Sequence, residues 1–228
     1  LATLVSAAKN GNITIAGDLA QAIIPPFYIQ DWKDLMDMIK DISSKEITYY
    51  QLFRCYRTTV EIVEYANSIF KNKFPKSYKL PEAVLRHGDD VKVLEYDTDI
   101  VDLKKEDLRE LLFLFKKQFE LGAVTCAVLC RDRRHADILF KLFKRYDDIL
   151  GREVISYEDN NYHGGLLILP IENAKGLEFD VVVFADVNSN YYGNELMDVK
   201  LLYVGITRAL HRVIIVTRKG DDILKYFK

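Results

Sequence analysis

The chain has 228 residues, 49% hydrophobic and 29% charged, which suits one or two globular domains and excludes large-scale disorder. Its formal net charge of −2 excludes binding to nucleic acid by bulk charge, so such a role would need a local basic face. Cys55, Cys126 and Cys130 make no even disulfide framework, His87, His135, His163 and His211 show no metal-ligand spacing, and no apolar run approaches the ~18 residues of a membrane span.

The sequence starts at Leu1 in mid-pattern, without a leader, and reads as a fragment of a longer cytoplasmic protein. Leu1–Lys9 is expected to end a helix, stopped by Asn10-Gly11. Ile13–Ala16 reads as a short strand followed by Gly17-Asp18, with Gln21 three residues on. A carboxylate and an amide at a strand's carboxyl end stand where open α/β sheets place ligands, although Gly-Asp alone is a common turn. Pro25-Pro26 precedes a helix over Trp32–Lys40, and Ile47–Leu52 is β-rich. Thr58 or Thr59 is expected to cap a helix over Glu61–Phe70. Arg57 then stands just before a helix N-terminus, a position that favours an anion; the alternative is a surface arginine paired with a glutamate.

Lys71–Gly88 reads as loop and Val91–Tyr96 as strand. Lys104–Glu120 is an amphipathic helix with Leu108, Leu111, Leu112, Phe115 and Phe119 on one face, ended by Gly122. Thr125–Leu129 is a buried strand, with Cys126 and Cys130 as buried thiols, and Arg131–Tyr146 a helix whose Arg131, Arg133 and Arg134 form a solvated face. Strands follow at Val154–Tyr157, Leu166–Leu169, Val181–Ala185 and Arg212–Val216, with helices at Glu195–Leu210 and Asp221–Phe227. Strands that are apolar throughout, alternating with helices, predict an α/β fold: a parallel sheet covered by helices on both faces.

Four groups of polar residues fall at element ends: Gly17-Asp18 with Gln21, Tyr56-Arg57, Lys175-Gly176-Leu177-Glu178, and Thr207-Arg208. Such a set suits a nucleoside triphosphate. Arginines offset charge on a transferring γ-phosphoryl, a glutamine senses it or orients water, and a glutamate accepts from ribose hydroxyls. Gly176 would let backbone approach the ligand closely. The sequence contains no Gly-Lys dipeptide and hence no GxxxxGK[ST] phosphate loop. Asp186 ends an apolar strand but is followed by Val187, and is expected to cap the next turn rather than hold a metal. No metal ligands are assigned.

These motifs resemble, in order, those of superfamily 1 helicases of the UvrD/Rep/PcrA kind. Ile13–Gln21 is similar to their motif III, Tyr56-Arg57-Thr58-Thr59 with Ile62 and Ala66-Asn67 to motif IV, Ala174–Asp180 to motif V, and Leu201–Ala209 to motif VI. Gly17–Gln21, Asp31-Trp32, Arg86-His87-Gly88-Asp89 and Pro170 before Lys175 look closer to the HelD/helicase IV branch, whose members are ATPases that can act on bacterial RNA polymerase.

The resemblance implies a RecA-like, P-loop-NTPase-type sheet. Residues 1–53 would be the end of a first RecA-like domain and 54–228 the second. It implies ATP between the domains, with Mg2+ held mainly by residues outside this chain. Gln21, Arg57 and Arg208 would approach the γ-phosphate as catalytic groups. Gly17, Asp18, Gly176 and Glu178 would complete the nucleotide site, with Glu178 at the ribose. Lys175, Trp32 and Tyr28 are candidate contacts to nucleic acid. The expected partners are single-stranded or duplex DNA, the first RecA-like domain of the same chain, and RNA polymerase in the HelD-like alternative; no membrane is expected.

Two departures bear on function. UvrD-type motif V carries a histidine that helps contact DNA where this chain has Glu172, whose charge repels a phosphate backbone. The span from Arg57 to Lys175 is also too short for the large inserted subdomain of UvrD-type enzymes. The expected activity is ATP-dependent DNA helicase or translocase action by the full-length protein, with the alternative of an ATPase that remodels RNA polymerase. The 228 residues alone are expected to be inactive.

Overall fold

The computed structural model of the protein describes residues 2–8, 12–23, 29, 31–43, 46–70, 73, 78–84, 86–159, 162–193 and 195–226. The chain divides into two units, Leu1–Leu52 and Phe53–Lys228.

In the first unit, α1 spans Ala2–Ala7, a single 3-10 turn covers Leu19–Gln21, and α2 spans Trp32–Ile42. Asp31 caps α2 by accepting from the Lys33 N–H, which supplies one of the partners a helix start lacks. The strands expected at Ile13–Ala16 and Ile47–Leu52 do not form; both stretches lack regular structure. A strand needs a hydrogen-bonded neighbour, and this unit offers none among its described residues. Pro25 and Pro26 lie outside the described residues.

The second unit opens with β1 (Arg54–Cys55), α3 (Val60–Phe70) and β2 (Glu82–Ala83), which pairs in parallel with β1 inside the stretch expected to be loop. A main sheet follows from β3 (Lys92–Tyr96), α4 (Lys105–Glu120), β4 (Thr125–Cys130), α5 (Arg133–Phe143), α6 (Asp147–Leu150), β5 (Val154–Ser156), β6 (Gly165–Pro170), β7 (Phe179–Phe184), α7 (Leu196–Ile206), β8 (Ala209–Arg218) and α8 (Ile223–Tyr226). Its six strands run in parallel in the order β3-β8-β7-β4-β6-β5. The central strands β4, β6 and β7 are almost wholly buried, as a two-sided parallel sheet requires.

Side chains alternate between the two faces of this sheet. Cys126, Val128, Leu166, Ile168, Val181, Val183 and Ile214 share a core with Leu111, Leu112 and Phe115 of α4 and with Leu139 and Phe143 of α5. Burial pushes the Cys126 and Cys130 thiols well above their ordinary range, as inert core groups. The opposite face meets α7. A Cβ on Gly205 would stand 2.6 Å from Phe184 Cζ and 2.7 Å from Leu129 Cδ1, so only glycine lets this helix lie so close to β7 and β4. α3 packs beside α7. The α4 helix is capped at Leu121, with Gly122 at φ 96° accepting the left-handed position that closes it.

Neither Thr58 nor Thr59 caps α3 by its side chain. Among the described residues, both hydroxyls are buried without a hydrogen-bond partner. The helix begins one residue early, at Val60, whose N–H donates to the Arg86 carbonyl at 2.9 Å.

Candidate functional site

Motif V of the resemblance is built on a tight turn. Lys175 has φ −61° and ψ 123°, Gly176 has φ 88°, and the Leu177 N–H donates to the Ala174 carbonyl at 3.0 Å. These are the angles of a type II turn, whose third position demands positive φ and hence glycine. Space above Gly176 is open. The turn leaves Lys175 exposed and places Glu178 immediately before β7.

Arg208 reaches the same edge from the other side. It immediately precedes β8, which pairs with β7 in the register Phe179↔Ala209, and the Phe179 N–H donates to the Arg208 carbonyl at 3.0 Å. Glu178 and Arg208 are thus at the amino ends of adjacent strands. Arg208 is 2% exposed; its Nε donates to the Val204 carbonyl at 3.0 Å and Nη2 to Thr207 Oγ1 at 3.2 Å, so the side chain lies back along the end of α7.

Arg57 comes from the approach to α3. Its Nε is 2.7 Å from Glu178 Oε1, with the two side chains 44% and 43% exposed. Both expectations for Arg57 therefore bear on one place: it precedes a helix start, and it is paired with a glutamate. The Arg57–Glu178 ion pair thus lies at the amino edge of the sheet, where the Arg208 backbone bonds to Phe179, while the Arg208 guanidinium is buried against the end of α7. The exposed guanidinium of Arg57 can bond an anion's oxygens, and the exposed carboxylate of Glu178 can accept from hydroxyls.

In the first unit, Asp18 caps the 3-10 turn by accepting from the Ala20 N–H at 2.9 Å, and its second oxygen accepts from Gln21 Nε2 at 2.8 Å. Gly17 lies against Trp32, with 3.2 Å from a Cβ position to Cη2, and Trp32 also packs on Tyr49 at 6.2 Å between ring centroids. Trp32 thus has packing partners of its own. Tyr28 lies outside the described residues.

The carboxyl edge of the second unit's sheet is held by structural bonds. Asp186, at φ 51°, accepts from the Ile100 N–H at 2.9 Å and from His135 Nε2 at 3.0 Å. Its side chain therefore caps a turn that precedes it by 86 positions, not the next one, because the carboxylate points across to the end of β3 and the start of α5. Burial pushes the Asp186 carboxyl up, against the pull of His135. Sequence reasoning missed this pair; an isolated histidine carries no periodic signal. It also placed Arg131 on a solvated face. Arg131 instead donates to Asp198 Oδ1 at 3.0 Å and lies over the Tyr192 ring. Arg133 does face solvent, 3.6 Å from Glu172.

Three polar groups beside the candidate site, Asp180, His211 and Arg86, make contacts that the sequence did not show. Asp180 accepts from the Val124 and Thr125 N–H groups and the Thr125 hydroxyl at 2.8 Å, 2.9 Å and 3.1 Å. Burial works to raise its pKa, but these donors and His211 outweigh it and hold the carboxyl below the usual range. His211 Nε2 is 3.7 Å from Asp180 Oδ1, and Arg86 lies against the His211 ring. Among the described residues no cluster of three or more His, Cys, Asp or Glu could hold a metal ion, and no helix is long and apolar enough to cross a membrane.

Residues 165–216, which carry all of motifs V and VI, match the family model of the UvrD-like helicase C-terminal domain. The chain is similar in structure to the C-terminal domain of a possible DNA helicase from Lactobacillus plantarum WCFS1, with 21% identity and a TM-score of 0.54 over 76% of this chain and 94% of that one. Two structures of the PRRSV helicase also match, with 14% and 13% identity, TM-scores of 0.38 and 0.35, and coverage of 78% of this chain and 25% of theirs. No curated protein sequence matches the chain. The stretch from 165 to 216 is thus similar to a UvrD-like helicase C-terminal domain, and the six-stranded parallel sheet of the second unit, with its flanking helices, has the RecA-like fold of a helicase C-terminal domain.

Proposed function

We propose that residues 54–228 are the second RecA-like motor domain of an ATP-dependent DNA helicase or translocase, and that residues 1–53 are the end of the first. The observation that carries this reading is the Arg57–Glu178 ion pair, from motifs IV and V, at the sheet edge where motif VI's Arg208 joins β7 by its backbone. On this reading they belong to one wall of an ATP site, and Gly17, Asp18 and Gln21 are candidate nucleotide-binding residues of the first unit. ATP supplies the transferable phosphoryl group, and Mg2+ is held mainly by residues outside this chain. Arg57 and Arg208 neutralise the developing charge on the γ-phosphoryl oxygens, and Glu178 accepts from the ribose. Closing this wall on the nucleotide converts hydrolysis into relative domain movement. Lys175 at its exposed turn is the candidate contact to the DNA backbone. The protein works in the cytoplasm.

A HelD-like ATPase that remodels RNA polymerase is the second reading. It is favoured by Glu172, an exposed acid where a UvrD-type enzyme would present a DNA-contacting histidine. ATP turnover by the full-length protein, measured with single-stranded DNA and separately with RNA polymerase, separates the two. Strong stimulation by DNA alone supports the helicase and counts against the second reading. Loss of turnover in Arg57→Ala with nucleotide binding kept supports the shared ATP wall; unchanged turnover sinks both.

A further inference from the structure

The segment Arg86-His87-Gly88-Asp89 is distant in sequence from Arg208 and separate from Arg57, yet it holds the chain on both sides of the candidate site. Toward α3, the Arg86 carbonyl accepts from the Val60 N–H at 2.9 Å, and Arg86 Nη1 donates to the Arg57 carbonyl at 3.3 Å. His87 Nδ1 is 2.8 Å from Glu61 Oε1, and the Gly88 N–H donates to Glu61 Oε2 at 2.9 Å. The segment lies tightly on the helix start: a Cβ on Gly88 would stand 2.6 Å from Thr59 Cγ2.

Toward β8, Arg86 Nη2 meets the His211 ring, and Arg212 Nε donates to Asp89 Oδ2 at 2.6 Å. His211 and Arg212 sit where β8 slips register against β7: Phe179 faces Ala209, but Val181 faces Arg212. The extra residue on β8 is a bulge, which re-aims side chains at a sheet's edge. It brings His211 to both Arg86 and Asp180.

We propose that Arg86-His87-Gly88-Asp89 is a positioning clasp, tying the backbone of Arg57 to the start of β8, three residues past Arg208. The clasp rests on the reading of this edge as an ATP wall. Arg86 is its central positioning residue, since among the described residues it alone bonds both the Arg57 backbone and β8. The unbonded hydroxyls of Thr58 and Thr59 give the clasp its importance. The helix start has no side-chain cap from them, and its first N–H is served by the Arg86 carbonyl. A guanidinium displaced by even a fraction of its reach loses much of its effect on a transition state.

The test uses the full-length protein, with Arg86→Ala, Arg86→Lys, Arg57→Ala and the Arg57→Ala/Arg86→Ala double variant. Kinetic constants for ATP and backbone hydrogen exchange across 57–64 are measured together. Arg86→Ala is expected to lower kcat about 10- to 100-fold with KM within about threefold. Arg86→Lys keeps one donor and recovers about threefold or more of that loss. The double variant is no more than about twofold slower than Arg57→Ala, because Arg86 acts through Arg57. Exchange across 57–64 quickens about tenfold in Arg86→Ala and stays unchanged across 125–130. An unchanged kcat in Arg86→Ala, a double variant about tenfold slower than Arg57→Ala, or unchanged exchange across 57–64 overturns the clasp. If Arg57→Ala turns over ATP normally, the ATP reading fails by itself, and exchange across 57–64 still decides whether Arg86 holds the Arg57 segment. Should Arg86→Ala fail to fold, Arg86→Lys carries the same comparisons.

Discussion

Arg57 and Glu178 form an ion pair 2.7 Å long at the amino edge of β7, with nearly half of each side chain in solvent. An exposed pair of this kind contributes about 0–1 kcal/mol. Its cost of opening is therefore small beside the charge-assisted bonds that a phosphate or a ribose hydroxyl would offer the same two groups. On the proposed reading the pair would hold this edge without committing either residue.

Glu178→Ala should accordingly leave the fold almost untouched. The expected fall in Tm is at most about 4 °C, with ATP binding by the full-length protein weakened about tenfold. Thermal unfolding and nucleotide titration measure the two effects. A large fall in Tm with unchanged affinity would make the pair a structural tie.

Gly205→Ala is expected to destabilise the protein by about 1–3 kcal/mol, because the new methyl group meets Phe184 and Leu129 inside their contact distance. Urea unfolding reads the change as a lower midpoint. The helix it would lift also carries Arg208 at its end, so ATP turnover should fall with stability. An unchanged midpoint would mean that α7 does not lie as close to the sheet as described.

Asp186→Ala removes a buried carboxylate that serves both the Ile100 N–H and His135. Leaving these donors unpaired inside the fold should cost about 2–4 kcal/mol. Asp186 touches neither Arg57 nor Arg208 in any bond described above, so turnover at a temperature where the variant is folded should be near normal. Lost turnover in a folded, stable variant would give Asp186 a functional role.

Glu61 provides a pH signature. Its own backbone N–H, the His87 ring and the Gly88 N–H together pull the carboxyl down to about 2 from an ordinary 4.5. A depressed folded-state pKa favours folding above the unfolded value, and that contribution fades as pH falls from about 4.5 toward 2. Wild type should therefore exceed Glu61→Gln in stability at pH 6, with the gap closing below pH 4.5. Urea midpoints across that range measure it. A gap that does not depend on pH would show that the carboxylate charge is not what grips the Gly88 segment.

Much of the fold was readable because its signals are local. The apolar runs of β4, β6 and β7 and the one-sided stripe of Leu108, Leu111, Leu112, Phe115 and Phe119 are fixed by period and burial. The first unit resisted the same reading. Ile13–Ala16 and Ile47–Leu52 have strand composition, but strand structure depends on a neighbour that composition cannot reveal. At the candidate site, Arg57 could be marked as an anion-binding residue or an ion-pair partner, yet which glutamate it meets depends on how α3 approaches β7. The contacts of Arg86 with His211 and of Asp186 with Ile100 join residues 125 and 86 positions apart. Nothing in their local sequence announces either.

Arg208→Ala in the full-length protein tests the central claim most directly, because this residue joins β8 to the end of α7 and is the second guanidinium of the proposed ATP wall. ATP turnover and ATP affinity should be measured separately on the folded variant. The account predicts a fall in kcat of about 1,000-fold or more, with affinity within about tenfold of wild type. Near-normal kcat would contradict it.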